Sequence, residues 1–363
     1  MEKKIKVLIV DDSVAARELL AHILVTDPGI SIAGFAADGG EALAAVKKLQ
    51  PDIVTMDINM PKLDGLSATR QIMATYPVPI VIVSGNMSSD QVSHAFDAIE
   101  AGALAVLCRP PGVTSPEHAK AAAELIQTVK LMSEIRVVTR LRRNLSSVNH
   151  DVAAGTRQCQ ASKMRVVAIG ASTGGPIALQ KILSGLPEDF SVPVLVVQHI
   201  AAGFIEGFVS WLGSFCRLPV KVAAQGLPAL PGHVYVAPEK KHMGIDRNLR
   251  LILSDNSPEN GVRPSVSFLF RSIAEEIGGD AAAVLLTGMG RDGAHELKIL
   301  REKGAITIAQ SEESSVVFGM PGEAVKLEAA ANILSPSEIA SLLEKLHRSM
   351  TGGSEWTPKK HPQ

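Results

Sequence analysis

VVAIGASTGGP, from Val166 to Pro176, is an apolar run that ends in a glycine-rich turn and leads into a helical pattern. The apolar run predicts a buried strand, and the glycines allow a tight turn from that strand into a helix. A turn of this G-x-S-x-G form lifts its serine clear of the sheet and directs backbone N–H groups toward it. The stretch therefore predicts a parallel α/β sheet with Ser172 at its carboxyl edge.

Ser172 alone leaves two simpler interpretations open. A serine at this position often caps the helix that follows. The same strand, glycine turn and helix could instead bind a phosphate group of a nucleotide in a protein that is not an enzyme. A nucleotide site would need an acidic residue after the second strand to hold the ribose. The chain has Gln198 and His199 there, which counts against nucleotide binding.

Two further apolar runs in the same half end in residues that would complete a catalytic triad. PVLVVQH ends at His199, and AAAVLLTGMGRD ends at Asp292. Because the carboxyl ends of parallel strands share one edge of the sheet, we expect both side chains to converge with Ser172. His199 would take the serine proton, and Asp292 would fix the imidazole tautomer. The order Ser, His, Asp differs from that of α/β-hydrolases, so the turn motif is shared but the fold is not.

Acyl transfer also needs donors for an oxyanion, and the stretch TGMG beside Asp292 could supply one. We expect the Met289 amide to be such a donor, with Thr173 next to the nucleophile. The alternative for Met289 is simple packing. For the other histidines of this half we expect structural hydrogen bonds or exposed positions, because none has metal-ligand spacing; they are His233, His242 and His295.

Acidic residues follow two predicted strands of the first half. Asp11 and Asp12 come after the first strand and Asp57 after the third, so a parallel sheet would gather three carboxylates at one edge. Oxygen ligands of this kind favour Mg²⁺. Ser84 and Arg109 end the fourth and fifth strands and offer a hydroxyl and a fixed positive charge suited to a phosphoryl group. The alternative for Asp11 and Asp12 is capping of the first helix.

The alternation of apolar runs and helical patterns predicts two doubly wound α/β domains, and 363 residues are enough for two cores. Residues 1–130 contain five strands, 131–163 read as a polar, basic linker, and a second set of strands fills 164–348. We expect a disordered tail over 349–363. The short distance between the runs at Val234 and Leu249 leaves an antiparallel pairing of those two open.

Composition narrows the possible partners and the compartment. Hydrophobic residues make up 46% of the chain and aromatic residues 4%, which is typical of parallel sheets covered by helices. A net charge of −1 provides no field that would attract nucleic acid or an anionic membrane. The three cysteines have no metal or disulfide spacing, and no apolar run approaches the length of a membrane span. We therefore expect a cytoplasmic protein without membrane insertion.

The first half resembles a response-regulator receiver domain, from about Ile5 to Lys130. The resemblance rests on VDDS, MDINMPKLDG, a serine at position 84 and an Arg-Pro pair at 109–110. It implies a flavodoxin-like (βα)5 fold in which one aspartate is phosphorylated with the help of Mg²⁺ by a chemotaxis histidine kinase. The roles it implies are phosphorylation of Asp57, metal binding by Asp11, Asp12, Asp57 and the main-chain carbonyl of Asn59, and switching through Ser84 and Arg109.

This half departs from the family pattern at one position. The family normally has a lysine before the final proline, where this chain has Arg109. A planar guanidinium does not replace a compact ammonium without rearrangement, so we expect phosphorylation or its readout to be altered. The resemblance also implies a cis peptide bond between Arg109 and Pro110.

The second half resembles the chemotaxis receptor methylesterases, from Val166 to about Ala331. The motifs GASTGGP, QHI, HVYVAPEKKHM, RPSVSFLF, TGMGRDGA and SSVVFGMPGEA occur in the family's order after a receiver domain. The resemblance implies a hydrolase that demethylates glutamate methyl esters on chemoreceptor signalling helices, releases methanol and deamidates glutamines. It places Ser172, His199 and Asp292 at the triad positions.

By the same resemblance Thr173 and Met289 support the active site, and the esterase needs no cofactor. The implied partners are the cytoplasmic domains of methyl-accepting chemoreceptors, as substrate, and the histidine kinase, as phosphodonor; nucleic acid is not among them. The fold expected for this half is a parallel sheet with an antiparallel hairpin. A remaining alternative is an adaptor that kept the fold and lost its activity, against which the intact set of three catalytic residue types argues.

Overall fold

The computed structural model describes most of the chain, including the backbone alone of residues 89–94. The described residues are 4–85, 89–135, 164–201 and 203–351. Most of the expected linker, residues 136–163, and the expected tail from residue 352 lie outside them. The chain divides into two compact units, which are Met1–Ala153 with Ile200–Trp211 and Ala154–His199 with Leu212–Gln363. The domain boundaries expected at residues 130 and 164 stay predictions.

The first half forms a parallel sheet of five strands in the order β2-β1-β3-β4-β5. Its elements are β1 (Ile5–Val10), α1 (Val14–Leu24), β2 (Ile30–Ala36), α2 (Gly39–Leu49), β3 (Ile53–Met56), α3 (Gly65–Thr75), β4 (Ile80–Ser84), α4 (Ser89–Glu100), β5 (Ala105–Cys108) and α5 (His118–Ser133). Strands β3 and β4 are buried at every position, as expected for central strands of a sheet covered on both faces. The strand order reverses between β1 and β3, and that reversal marks the usual ligand site of such sheets.

The second half contains a parallel sheet of seven strands in the order β14-β13-β12-β6-β7-β9-β8, with a separate antiparallel hairpin of β10 and β11. Its elements are β6 (Val166–Ala171), α6 (Gly175–Ser184), β7 (Val194–Gln198), α7 (Ile205–Gly213), β8 (Val220–Val222), β9 (Val234–Val236), β10 (His242–Ile245), β11 (Leu251–Ser254), α8 (Val266–Glu276), β12 (Ala281–Leu285), α9 (Ala294–Glu302), β13 (Ile306–Gln310), α10 (Met320–Lys326), β14 (Asn332–Leu334) and α11 (Pro336–Met350). The order reverses between β6 and β12, so the residues that follow these two strands face one crevice.

The expected fold class is confirmed, with two α/β sheets and one antiparallel hairpin. The hairpin, however, does not pair the runs at Val234 and Leu249. Strand β9 is parallel to both β7 and β8, and β11 pairs with β10 instead. Strand β10 was not expected from the sequence, because HMGI combines a histidine and a glycine with only two large apolar residues.

Two further expectations concern the backbone. The cis peptide bond of the described residues is Arg263–Pro264, so the cis bond expected at Arg109–Pro110 is wrong. Helix α11 begins with a capping box of Ser335 and Glu338 and continues to Met350, two residues into the tail expected from residue 349. Within the described part of the chain, no helix combines the length and apolarity that a membrane crossing requires.

Candidate active site and phosphoacceptor site

Ser172 lies in the turn between β6 and α6 and is partly exposed. Its backbone N–H donates to the carbonyl of Thr287 over 3.0 Å, and its own carbonyl accepts from the N–H of Gly175 over 2.8 Å. The N-cap residue of α6 is Gly174, which adopts a left-handed φ of 78° without steric cost because it has no side chain. Ser172 therefore does not cap the helix.

His199 is the first residue after β7, the strand that pairs with β6. The register of β6 and β7 pairs Ala171 with Gln198, so Ser172 and His199 are the next residue on each strand. The N–H of His199 continues the ladder by donating to the carbonyl of Ala171 over 3.0 Å. Its ring Nε2 lies 3.0 Å from Oδ2 of Asp292. Residues that are far apart in sequence thus meet at one edge.

Asp292 is buried, with 3% of its surface exposed, at the N-terminus of helix α8. Besides His199 it accepts hydrogen bonds from four groups, which are Asn260 Nδ2 (2.9 Å), Ser265 Oγ (2.8 Å), Val266 N (2.6 Å) and Ser267 N (3.2 Å). Burial by itself raises the pKa of Asp292, but the bonds and charge supplied by His199, together with those from Ser265 and Val266, lower it overall. The carboxylate is thus ionised and holds the imidazole proton on Nε2, which leaves Nδ1 as the acceptor.

The loop after β12 passes directly against the nucleophile candidate. A Cβ added to Gly288 would lie 2.6 Å from Cβ of Ser172, so only glycine permits this approach. Met289 follows it in the loop and is partly exposed. On the other side, the hydroxyl of Thr287 donates to the carbonyl of Thr173 over 2.9 Å. The structure thus brings Thr173 and Met289 to the two backbone segments that flank Ser172.

Several residues of this site were missed from the sequence. Asn260, Ser265 and Gln198 bind backbone or carboxylate groups of the expected triad. Of these only Ser265 has a local signal, because a serine before an apolar helical pattern indicates an N-cap. His242 has the structural role expected of it, since its Nδ1 accepts from the N–H of Ser265 and its Nε2 bonds the carbonyl of Ser257.

The carboxylates of the first half form one cluster after β1 and β3. Asp11, Asp12 and Asp57 each offer an oxygen, and these oxygens lie within 4.8 Å of one another. Helix α1 is capped by Ser13, so the alternative that Asp11 and Asp12 are only its caps is wrong. Burial raises the pKa of both Asp11 and Asp57, opposed by hydrogen bonds from the Ser13 N–H and the Ser84 hydroxyl respectively.

Arg109 supplies the positive charge of this cluster. Its Nη2 lies 2.7 Å from Oδ2 of Asp11 and 3.4 Å from Oδ2 of Asp57. Among the described residues, Oδ1 of Asp57 is buried and has no hydrogen-bond partner. An unsatisfied carboxylate oxygen beside two further carboxylates fits a hard cation with oxygen ligands. Asn59 lies two residues beyond Asp57, and the role of its carbonyl as a ligand stays a prediction.

Comparison with known proteins matches both halves of the chain to families. Residues 167–343 match the family described as CheB methylesterase, and residues 7–114 match the response regulator receiver domain. A crystal structure of the Thermotoga maritima CheB methylesterase catalytic domain is 37% identical and covers 50% of this chain and 98% of that one, with a TM-score of 0.49.

Two bacterial proteins resemble the chain over almost its whole length. The protein-glutamate methylesterase/protein-glutamine glutaminase 4 of Geobacter metallireducens is 52% identical over 94% of this chain and 99% of its own length. The protein-glutamate methylesterase/protein-glutamine glutaminase of Nitrosospira multiformis is also 52% identical, over 94% of this chain and 97% of its own length.

Proposed function

Because this chain belongs to the CheB methylesterase family and carries a receiver domain before the catalytic one, we propose that Ser172, His199 and Asp292 carry out its hydrolysis. The activity follows from the family. The chain is a protein-glutamate methylesterase and protein-glutamine glutaminase whose family serves adaptation in chemotaxis. The hydrogen bond between His199 Nε2 and Asp292 Oδ2, beside Ser172 in the register of the sheet, is the observation that carries the residue assignment.

In the proposed acylation step, Oγ of Ser172 forms a bond to the carbonyl carbon of the glutamate methyl ester while its proton passes to Nδ1 of His199. The tetrahedral intermediate then collapses, the carbon–methoxy bond breaks, and His199 returns the proton to methoxide, which leaves as methanol. For a glutamine substrate the leaving group is ammonia. Asp292 stabilises the imidazolium throughout, because its own pKa is lowered and it stays ionised.

Deacylation repeats this sequence with water. His199 takes a proton from a water molecule as the water oxygen attacks the acyl carbon, and the bond to Ser172 breaks on collapse. The serine regains its proton and the substrate leaves as glutamate. Met289 and Thr173 are proposed to support the oxyanion of both steps through backbone N–H groups, because their segments flank Ser172.

In the receiver, an oxygen of Asp57 is proposed to attack the phosphorus of a phosphohistidine on the chemotaxis kinase, which breaks the phosphorus–nitrogen bond. Asp11, Asp12, Asp57 and the Asn59 carbonyl would hold Mg²⁺, which when bound neutralises charge on the phosphoryl oxygens. Ser84 and Arg109 would contact the phosphoryl group. This proposal is supported by their positions, because the Ser84 hydroxyl bonds Asp57 and the Arg109 guanidinium lies 3.4 Å from its carboxylate.

The proposed substrate is the cytoplasmic signalling helices of methyl-accepting chemoreceptors, and a cytoplasmic location is expected with it. We further propose that the receiver restrains the catalytic domain until Asp57 gains a phosphoryl group. The added negative charge would shift a two-state interaction between the domains toward the active state. Because Arg109 stands where the family normally has a lysine, we expect the size of this response to differ from that of receivers with the lysine.

The test of the assignment is methanol release from methylated receptor cytoplasmic helices. We expect release by the full chain and its loss, by a factor of at least about 10³, in Ser172→Ala. Ser184→Ala, at an exposed serine at the end of α6, serves as the matched control and keeps full activity. Substantial methanol release by a folded Ser172→Ala variant would refute the assignment, and an inactive wild-type chain would favour the adaptor alternative.

A further inference from the structure

The backbone pairing of β6 with β7 ends at Ser172 and His199, the residues that follow the two strands. In the part of the chain that the structure describes, the backbone ladder between β6 and β7 ends with the bond from His199 N to Ala171 O. Beyond it, the N–H of Ser172 turns to the other neighbour and donates to Thr287. The ladder thus joins His199 to Ala171, but among the described residues no backbone hydrogen bond joins Ser172 to His199.

Gln198 supplies the missing connection through its side chain. Its Nε2 donates to the carbonyl of Ser172 over 2.8 Å and to the carbonyl of His199 over 2.8 Å. Both partners are carbonyl oxygens, so only the NH2 end of the amide can face them. One amide group thus uses its two N–H bonds to join the backbone of the nucleophile to the backbone of the base.

The amide of Gln198 is buried, and its two ends differ in how well they are bonded. The residue is 3% exposed and ends a strand whose other four residues are apolar. Among the described residues its Oε1 is buried and meets no donor, which costs stability that an apolar residue would not lose. A Cβ on Gly175 would lie 2.1 Å from this Oε1, so the second glycine of the GG pair leaves room for the amide.

We propose that Gln198 is a positioning residue, whose buried amide holds Ser172 and His199 in register for proton transfer. This inference rests on the proposed function, because it assumes that these two residues react. Fixed geometry between nucleophile and base affects the chemical step rather than the binding of the substrate. Loss of the two N–H donors therefore lowers kcat and leaves KM unchanged.

The experiment compares the full chain with Gln198→Met, which keeps the length of the side chain without donors, and with Gln198→Glu, which has its shape without the NH2 group. Methanol release from methylated receptor helices is measured as kcat and KM at 25 °C and across pH, and folding is checked by thermal melting. The control is Thr307→Val, which removes the buried hydroxyl that accepts a hydrogen bond from the N–H of Ala331 elsewhere in the sheet.

We expect kcat to fall about 10- to 100-fold in either folded Gln198 variant, while KM stays within about twofold of the wild-type value. In Thr307→Val, both kcat and KM should stay within about twofold of wild type. Normal kcat in either folded variant overturns the proposal, as does a change confined to KM or an equal loss in Thr307→Val. If both variants fail to fold, the amide is structural and the proposal is also overturned. Failure of the proposed function gives a different result, because Ser172→Ala would then remain active.

Discussion

Asp292 keeps its negative charge inside the protein because His199, Asn260, Ser265 and two backbone N–H groups at the start of α8 surround it. At the scale of the residue, this shows why a carboxylate brought from far along the chain can serve the histidine. The helix N-terminus stabilises the anion, and the anion orients the imidazole.

The same environment predicts how stability depends on pH. The pKa of Asp292 in the folded chain lies below its unfolded value of 3.8. A depressed pKa means that the ionised group adds stability above the unfolded pKa and that this contribution is lost as the pH falls through the folded pKa. As the pH is lowered below about 3.8, we expect the free energy of unfolding to decrease more steeply in wild type than in Asp292→Asn.

Denaturant unfolding of both proteins at a series of pH values measures this difference. Asp189→Asn is the control, since the side chain of Asp189 is 84% exposed and solvent screens its ion pair with His347. Equal pH dependence of wild type and Asp292→Asn below pH 3.8 would show that the carboxylate gains no stabilisation from its partners.

The predictability of single residues from sequence follows from how local their signals are. The convergence of Ser172, His199 and Asp292 at one edge of the sheet could be predicted because each follows an apolar run, and parallel strands bring such ends together. Gln198 and Asn260 could not, because their roles arise from contacts with backbone and side chains across the fold. Likewise, no local pattern shows that Arg109 reaches Asp11.

At the scale of the element, the backbone of the loop after β12 packs closely against Ser172 in the candidate active site. A Cβ at Gly288 would lie 2.6 Å from both Cβ of Ser172 and Sδ of Met320. We expect Gly288→Ala to lower methanol release at least about tenfold and to destabilise the chain by about 1–3 kcal/mol, because the loop must move away.

Gly213→Ala is the matched control for this substitution, because among the described residues a Cβ there would meet only Val220, at 4.0 Å. It should leave turnover and melting temperature close to those of wild type. A Gly288→Ala variant with wild-type turnover would show that the approach of this loop to Ser172 does not matter for catalysis.

The elements themselves differ in how well the sequence predicts them. Strands such as β4 and β7 are fully buried and consist of four apolar residues before a polar one, so their pattern is clear. Strands β8 and β14 have only three residues each and are not fully buried, and such short runs carry no readable period. A hairpin that contains β11 was expected, but β10 was not predicted as its other strand. Strand β10 contains a glycine, which packs close to Ser272 of α8 and weakens the apolar pattern.

At the scale of the whole molecule, the chain joins a receiver domain to a methylesterase domain, and the proposed regulation couples the two. We expect a small phosphodonor such as acetyl phosphate with Mg²⁺ to raise methanol release by the full chain, because phosphorylation of Asp57 relieves restraint. The isolated segment after Ser162 should be active without the phosphodonor.

Asp57→Asn in the full chain is the control for this experiment and should not respond to the phosphodonor. The rate of methanol release is measured for all forms under the same conditions. Equal rates for the full chain with and without phosphodonor and for the isolated segment would remove the inhibitory model, while leaving the esterase assignment intact.

The central claim is that Ser172 is the nucleophile and His199 activates it. Its most direct test is reaction of the full chain with a serine-directed fluorophosphonate, followed by mass mapping of the modified peptide. The account predicts a single adduct on the peptide that contains Ser172, formed much more slowly in His199→Ala. An adduct on a different serine, or equally fast modification of Ser172 without His199, would contradict it.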